Sequence, residues 1–203
     1  MYVPAAFGMD DEESIGLARR LGAGHLITAV EGRAESTLVP FTLDTVDGRS
    51  VLRAHLARAN PHHRSLITGT EALVVVQGPD AYVSPNLYPS KAEHGQVVPT
   101  WNYVLVHLRG TLRRVEGDDL LPLVGDLTNL HERALSDPWS VSDAPSDFID
   151  AQLRAIVGVE MTITSIEGKA KLSQNRPEAD RDAVRRGFAE GSARERSVAE
   201  FMR

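Results

Sequence analysis

The chain has 203 residues, of which 42% are apolar and 25% charged, values typical of a globular protein with a packed core. Its net charge of −6 argues against a nucleic-acid interface built on overall positive charge. Cysteine is absent, which excludes disulfides, thiolate nucleophiles and thiolate-ligated zinc. The most apolar stretch, Ala72 to Val76, is far too short to span a membrane, and Met1-Tyr2-Val3-Pro4 does not resemble a signal peptide. We therefore expect a soluble cytoplasmic protein.

The first half of the chain predicts one helix followed by strands. The helix opens at Asp10, with Glu13 as its capping-box partner, and ends at Gly22 or Gly24. The segments that follow are the strands His25–Val30, Ala34–Leu43, Ser50–Ala57 and Leu73–Gln77, with a short helix at Pro61–Thr68 before the last of them. A turn is predicted at Gly78-Pro79, with a further strand beyond it and then an irregular loop from Pro85 to Val98.

The second half predicts two long strands, several helices and a helical end. The segment Trp101–Gly110 alternates between apolar and mixed faces, and strand character resumes from Thr111 to Val115. The later elements are helices at Asp118–Leu135 and Asp147–Leu153, a strand at Val157–Ile166, and two helices at Pro177–Phe188 and from Ser192 onward. Short strands with few helices between them favour a six-stranded antiparallel barrel with peripheral helices over a βαβ sheet.

The first polar cluster that could carry chemistry lies at the predicted junction between a strand and the helix at Pro61. His55, Asn60 and Arg64 place donors beside a helix N-terminus, which is typical of an anion site. In the alternative, Asn60 simply caps the helix and the basic residues are solvated. Metal binding by His62-His63 is disfavoured because adjacent residues rarely bind one ion and no carboxylate partner is evident.

Two further clusters flank the loop from Pro85 to Val98. Turn chemistry explains about half of the residues from Gln77 to Asn86, and leaves Ser84 without an assigned role. Trp101 and Asn102 could stack on and hydrogen-bond a planar heterocycle, although a tryptophan that covers the barrel rim explains the spacing equally well.

The fourth cluster follows the last predicted strand. It consists of Lys171, Ser173, Gln174, Asn175 and Arg176. Such a density of donors with two cations indicates an anion or the polar edge of a ligand. A plain helix-capping turn is the competing interpretation.

Taken together, these clusters resemble the PaiB-type family of FMN-binding negative transcriptional regulators. The residues that carry the resemblance are Met1-Tyr2-Val3-Pro4, Asn60-Pro61, Val75 to Ser84, Val98 to Tyr103 with His107 and Gly110, Gly158, and Lys171 to Arg176. One departure is Leu38, where the family tends to place a histidine two residues before Pro40. An aromatic residue that the family often carries near His63 is also missing.

The resemblance implies an α+β split β-barrel of the type found in pyridoxamine-phosphate-oxidase-like flavoproteins. Residues 1–176 would form the FMN-binding domain and residues 177–203 a C-terminal helical extension. It also implies a homodimer with FMN at the subunit interface. His55, Asn60 and Arg64 become candidates for the phosphate, Trp101 and Asn102 for the ring, and Lys171 to Arg176 for closing the pocket.

Three functions remain open at this point. A regulator would need to influence DNA, yet no helix-turn-helix is visible, and the C-terminal arginines are interleaved with acidic residues as on a solvated helix face. Regulation is therefore expected to be indirect or to depend on the dimer surface. The alternatives are a flavin-dependent oxidoreductase or haem-handling relative, for which no catalytic residue is named, and a dimer that has lost its cofactor.

Overall fold

The computed structural model describes residues 1–202, which form two compact units. The first unit contains residues 1–14, 77–106 and the chain from 167 onward. The second contains residues 15–76 and 107–166. The expected boundary between an FMN-binding domain and a helical extension at residue 176 stays a prediction.

Seven strands form one sheet within the described residues 1–202. They are β1 (Gly8–Met9), β2 (Ala23–Val30), β3 (Arg33–Val46), β4 (Arg49–Ala57), β5 (Glu71–Val83), β6 (Thr100–Val115) and β7 (Ile156–Lys171). Their order is β1-β7-β4-β3-β2-β5-β6, and a further β7–β6 pairing closes that order on itself. The β1–β7, β2–β3, β2–β5, β3–β4 and β4–β7 pairs are antiparallel. The six long strands, β2 to β7, are those expected of a split barrel. The seventh strand, β1, has only two residues and pairs with β7.

The α-helices lie between and after these strands. They are α1 (Asp11–Leu21), α2 (Ser90–His94), α3 (Leu120–Glu132), α4 (Ser146–Arg154), α5 (Glu178–Ala189) and α6 (Ala193–Ala199). The predicted capping box at the start of α1 is confirmed, since the Glu13 amide donates to Asp10 Oδ1 at 2.8 Å. Within residues 1–202 no helix combines the length and apolar character needed to cross a membrane.

The alternation predicted for the long β6 strand is confirmed. Val104, Val106 and Leu108 are fully buried, whereas His107 and Arg109 on the opposite face are half-buried and exposed. At Gly110 the same strand comes very close to β7. A Cβ there would lie 2.2 Å from the carbonyl oxygen of Thr162, so only glycine fits.

Two predicted strand ends were wrong. No turn forms at Gly78-Pro79, and β5 continues through both residues to Val83. The pairing between β2 and β5 extends only as far as Val75. The N–H that Pro79 lacks is therefore not needed for a hydrogen bond to β2. The last strand was expected to end at Ile166 but β7 reaches Lys171, and β1 pairs with Gly168 and Lys169 in the added segment.

Two predicted helical or irregular segments also differ. The helix expected at Pro61–Thr68 is a short 3₁₀ helix, Pro61–Ser65. The segment from Pro85 to Val98 was expected to be irregular, yet it contains α2. The cap of α2 is supplied from far along the chain, since the buried Asp180 accepts hydrogen bonds from Ser90 N at 3.1 Å and Ser90 Oγ at 2.7 Å. No local sequence signal could reveal it.

Candidate functional site

The first unit contains a small cavity of about 90 Å³ at the end of β7. Its lining consists of Val98, Pro99, Thr100, Asn102, Lys171, Ser173, Asn175 and Arg176. Five of these eight residues were predicted as site residues, and they come from two stretches about seventy positions apart in the chain. The structure therefore brings the third and fourth sequence clusters together. Thr100 joins them, although the sequence pattern did not single it out.

Lys171 is held in place by the start of β6. Its Nζ donates to the hydroxyl of Thr100 and, at 2.8 Å, to the carbonyl oxygen of Trp101. Burial lowers the pKa of Lys171, and the like charges of Lys169 and Arg176 lower it further. A bound anion would offset the repulsion from these neighbouring cations.

The turn after Lys171 contains a strained residue. Ser173 has a φ of +67°, a left-handed conformation that is uncommon for a serine. The buried Ser173 hydroxyl donates to Asn102 Oδ1 at 3.1 Å, and the Asn102 amide nitrogen contacts the sulfur of Met202 at 3.8 Å. Because Asn102 is fully buried, it orients Ser173 rather than presenting its own amide on the surface.

Lys171 and Arg176 line the cavity, and Lys169 is close enough for its charge to act on Lys171. The Arg176 guanidinium lies over the ring of Tyr88, 4.7 Å from its centre. Lys169 lies 5.3 Å from the ring centre of Tyr103. Among residues 1–202, no salt bridge involves Lys169, Lys171 or Arg176. Three cations without a carboxylate partner favour an anionic ligand.

The neighbouring Gln174 uses both ends of its amide within the turn. Its Oε1 accepts from the Leu172 amide at 2.7 Å, and its Nε2 donates to the Ala170 carbonyl at 2.5 Å. This is the behaviour of a residue that caps a strand end. Asn175 is exposed and lines the cavity.

Trp101 lies on an exposed surface with Tyr82 and Arg194. Its indole N–H donates to Asp80 Oδ1 at 3.2 Å, its ring meets Tyr82 edge-on at 6.1 Å, and Arg194 lies 5.5 Å from its centre. Partial burial of Asp80 acts to raise the pKa of its carboxyl, but hydrogen bonds from its partners outweigh this and hold that pKa below its ordinary value. Trp101 remains 42% exposed, so a large part of its surface is open.

Ser84 has a structural role in the same unit. Its hydroxyl accepts a hydrogen bond from the Asn86 amide at 3.2 Å and caps the 3₁₀ helix Pro85–Leu87. Its contact with a ligand stays a prediction.

The remaining three predicted site residues, His55, Asn60 and Arg64, lie in the second unit. Asn60 Oδ1 accepts from the His62 amide, and Asn60 Nδ2 donates to the Thr37 hydroxyl, each at 3.1 Å. The cap that was one of the two interpretations is therefore formed. Arg64 is exposed, and burial lowers the pKa of His55, whose Nδ1 has no hydrogen-bond partner among the described residues.

The cavity in the first unit fits part of an FMN molecule. Its lysine, arginine and asparagine donors match the chemistry of a phosphate group, and its volume of about 90 Å³ suits that group but not the whole cofactor. The Trp101 carbonyl binds Lys171, but the Trp101 side chain is not part of the cavity lining, so its contact with the flavin ring stays a prediction.

The sequence comparisons assign the chain to a family. The sequence profile described as "Putative FMN-binding domain" matches residues 1–165. A protein of Emericella nidulans is 33% identical, over 81% of this chain and 80% of its own. Protease synthase and sporulation protein PAI 2 of Bacillus subtilis is 29% identical, over 89% of this chain and 85% of its own.

Solved structures share the fold. A conserved hypothetical protein of Mycobacterium tuberculosis has a TM-score of 0.59 at 13% identity, covering 88% of this chain and 95% of its own. The FAD and heme binding protein of Mycobacterium smegmatis has a TM-score of 0.54 at 17% identity, covering 80% and 71%. The predicted PaiB-type relationship, split-barrel fold and FMN cofactor are thereby confirmed, and the chain belongs to the family of FMN-binding domains.

Proposed function

We propose that the protein is a homodimeric, FMN-binding negative transcriptional regulator of the PaiB type, in which Lys171 and Arg176 bind the phosphate of FMN. The observation that carries this proposal is the cavity of the first unit, where the two lining cations, Lys171 and Arg176, have no carboxylate partner among residues 1–202. The family profile ends at residue 165, so the assignment of Lys171 to Arg176 rests on this geometry.

The alternative phosphate site around Asn60 is less favourable. Both functional groups of Asn60 are already bonded within the chain, and Arg64 is exposed. Displacing those bonds would cost free energy that a bound phosphate must first recover. Lys171 is also bonded within the chain, to Thr100 and Trp101, but its ammonium group has a third N–H donor, and an anion there relieves the repulsion between cations that are already close together.

The residues around the cavity have different tasks in this proposal. Lys171 and Arg176 supply charge, and the hydrogen bond from the Ser173 hydroxyl to the buried Asn102 holds the turn between them in place. Trp101 offers an aromatic surface to the ring. FMN supplies a redox-active heterocycle, while the chain's part is to bind and orient it.

The dimer is supported by an apolar sheet face in the second unit. Leu38 of β3 is 61% exposed. Its partner on β2 is His25, and the partner of His25 on β5 is Val75, so the three residues lie side by side across the sheet. Ile27 and Leu73, also paired, extend the same face and are half-buried. A second copy of the chain would cover this surface, as expected for a homodimer. Leu38→Glu should therefore give a monomer in light scattering, whereas Leu135→Glu, at another exposed leucine of the same unit, should leave the dimer intact.

A regulatory role is supported by the name of the Bacillus subtilis relative, which connects that protein with protease synthesis and sporulation. These are cellular programmes rather than single reactions. Deleting the gene should raise the transcripts that the protein represses. The wild-type chain should restore repression, and Lys171→Met should not.

FMN binding is tested first by the visible absorption spectrum after gel filtration with added FMN. Lys171→Met and Arg176→Gln should each weaken binding about 10- to 100-fold, the effect of losing one hydrogen bond from a charged group. Lys91→Met, at an exposed lysine of the same unit that bonds Asn86, is the matched control.

Unchanged FMN affinity in both cavity variants would refute the phosphate assignment. Steady oxidation of a nicotinamide donor with many turnovers would indicate that the protein is an oxidoreductase rather than a regulator. A Soret band in place of flavin bands would indicate a haem-handling protein instead.

A further inference from the structure

The second unit contains a large groove that shares no residue with the proposed FMN-phosphate cavity. It has a volume of about 710 Å³ and is lined by residues of α1, β3, β4 and α3. This volume lies within the range of sites that bind small molecules, about 300–1,000 Å³. Its lining includes four arginines, two aspartates, an asparagine and a threonine.

The threonine, Thr42, is the most informative residue of the groove. It is 5% exposed, and its buried hydroxyl has no hydrogen-bond partner among the described residues. An unpaired hydroxyl in such a position destabilises a protein, and a valine of nearly the same shape would avoid this. Thr42 pairs with Arg53 across the β3–β4 ladder, and both line the groove.

The arginines come from separate elements. The Arg19 Nε donates to the Leu43 carbonyl at 2.7 Å, and Arg53 pairs with Glu160 at 2.9 Å, so both side chains are fixed. Arg133 is the C-cap residue of α3 and is exposed.

Compensation of the helix dipoles explains only part of this arrangement. Arg19 and Arg20 occupy the last turn of α1, where a positive charge is favourable in any protein. The same argument covers Arg133 at the end of α3. Arg53 on β4 is accounted for by its ion pair with Glu160 across the β4–β7 ladder, but neither argument explains the buried hydroxyl of Thr42.

We propose that this groove binds a small organic anion that also carries hydroxyl groups. The arginines would bind its carboxylate or phosphate, which suits their forked donors. Asp44 and Asp126, which also line the groove, would accept hydrogen bonds from its hydroxyls, and Thr42 would bond to it directly. The proposal does not depend on flavin binding.

The test is isothermal titration calorimetry on the full chain, with citrate in one arm and glucose 6-phosphate in the other. Saturable binding of at least one probe is expected, and the arm that binds identifies the acidic group as carboxylate or phosphate. Thr42→Val should weaken binding about tenfold or more while raising the melting temperature, since it removes an unpaired buried hydroxyl.

Arg133→Gln repeats the test at an exposed position where folding is not at risk, and it should also weaken binding. Arg154→Gln, an exposed arginine of the same unit outside the groove lining, should bind like the wild type. Absence of saturable binding in both arms would overturn the proposal. So would affinities that neither Thr42→Val nor Arg133→Gln changes.

Discussion

The close approach of β6 and β7 at Gly110 makes a quantitative prediction about stability. An added Cβ would lie 2.2 Å from the Thr162 carbonyl oxygen and 2.8 Å from Met161 Cγ. Ordinary contact needs about 3.5 Å, so the strands would have to separate by more than about 1 Å. The nearest obstacle is backbone, which cannot rotate away as a side chain could. Gly110→Ala should therefore destabilise the protein by about 3 kcal/mol, the upper end of the usual cost of overpacking.

Gly125 provides a control with the same chemical change and the opposite sign. It lies in the interior of α3, and a Cβ there would meet nothing within 4 Å. Gly125→Ala should stabilise the protein by about 0.5–1 kcal/mol, because alanine is the better helix former. Urea unfolding followed by far-ultraviolet circular dichroism measures both, and Gly110→Ala should lower the midpoint by about 1–3 M. Equal midpoints for Gly110→Ala and the wild type would refute the steric argument.

Three further predictions concern polar residues. Asn60→Ala should cost about 1 kcal/mol of unfolding free energy, because it removes the cap on the His62 amide. Asn60→Asp keeps this cap and should leave the affinity for FMN unchanged. Weaker FMN binding by Asn60→Asp would instead indicate that the phosphate binds at Asn60. Asp180→Asn should cost about 1–3 kcal/mol, because the amide can accept only one of the two Ser90 hydrogen bonds; an unchanged urea midpoint would contradict this. The pKa of Lys171 is lowered in the folded chain, so the unfolded chain binds more protons between that pKa and about 10.4. The free energy of unfolding of the wild type should thus rise with pH across this window, and that of Lys171→Met should rise less. If the two proteins gave parallel curves of unfolding free energy against pH, burial of Lys171 would not be the cause of the rise.

The strand pattern could be predicted from the sequence because burial imposes it residue by residue. Val104, Val106 and Leu108 are buried and alternate with more exposed neighbours, and the amino-acid sequence of this segment shows the same alternation of apolar residues. Features that depend on a distant partner could not be predicted. Helix α2 is capped by Asp180, and β7 continues past Ile166, where β1 pairs with Gly168 and Lys169.

The candidate site could be predicted only in part, for a related reason. Trp101 and Lys171 were proposed from local composition, but their contact, made through the Trp101 carbonyl, joins segments far apart in sequence. Thr100 also binds Lys171, yet nothing in its local pattern distinguishes it from any strand threonine. The groove around Thr42 was missed entirely, since one hydroxyl in an apolar strand is an ordinary feature until its lack of a partner is seen.

The local hydrogen bonds of each polar side chain explain which of the candidate residues can still bind a ligand. Asn60, Ser84 and Gln174 are close enough to their own backbone to satisfy free N–H or C=O groups at the ends of elements, and each does so. Lys171 and Arg176 differ because hydrogen bonds to neutral groups, or contact with an aromatic ring, leave their charge uncompensated. Only an anion can balance that charge, and among residues 1–202 no carboxylate forms a salt bridge with either. In a dense polar cluster, the unpaired cations are therefore better evidence for a ligand than the amides and hydroxyls around them.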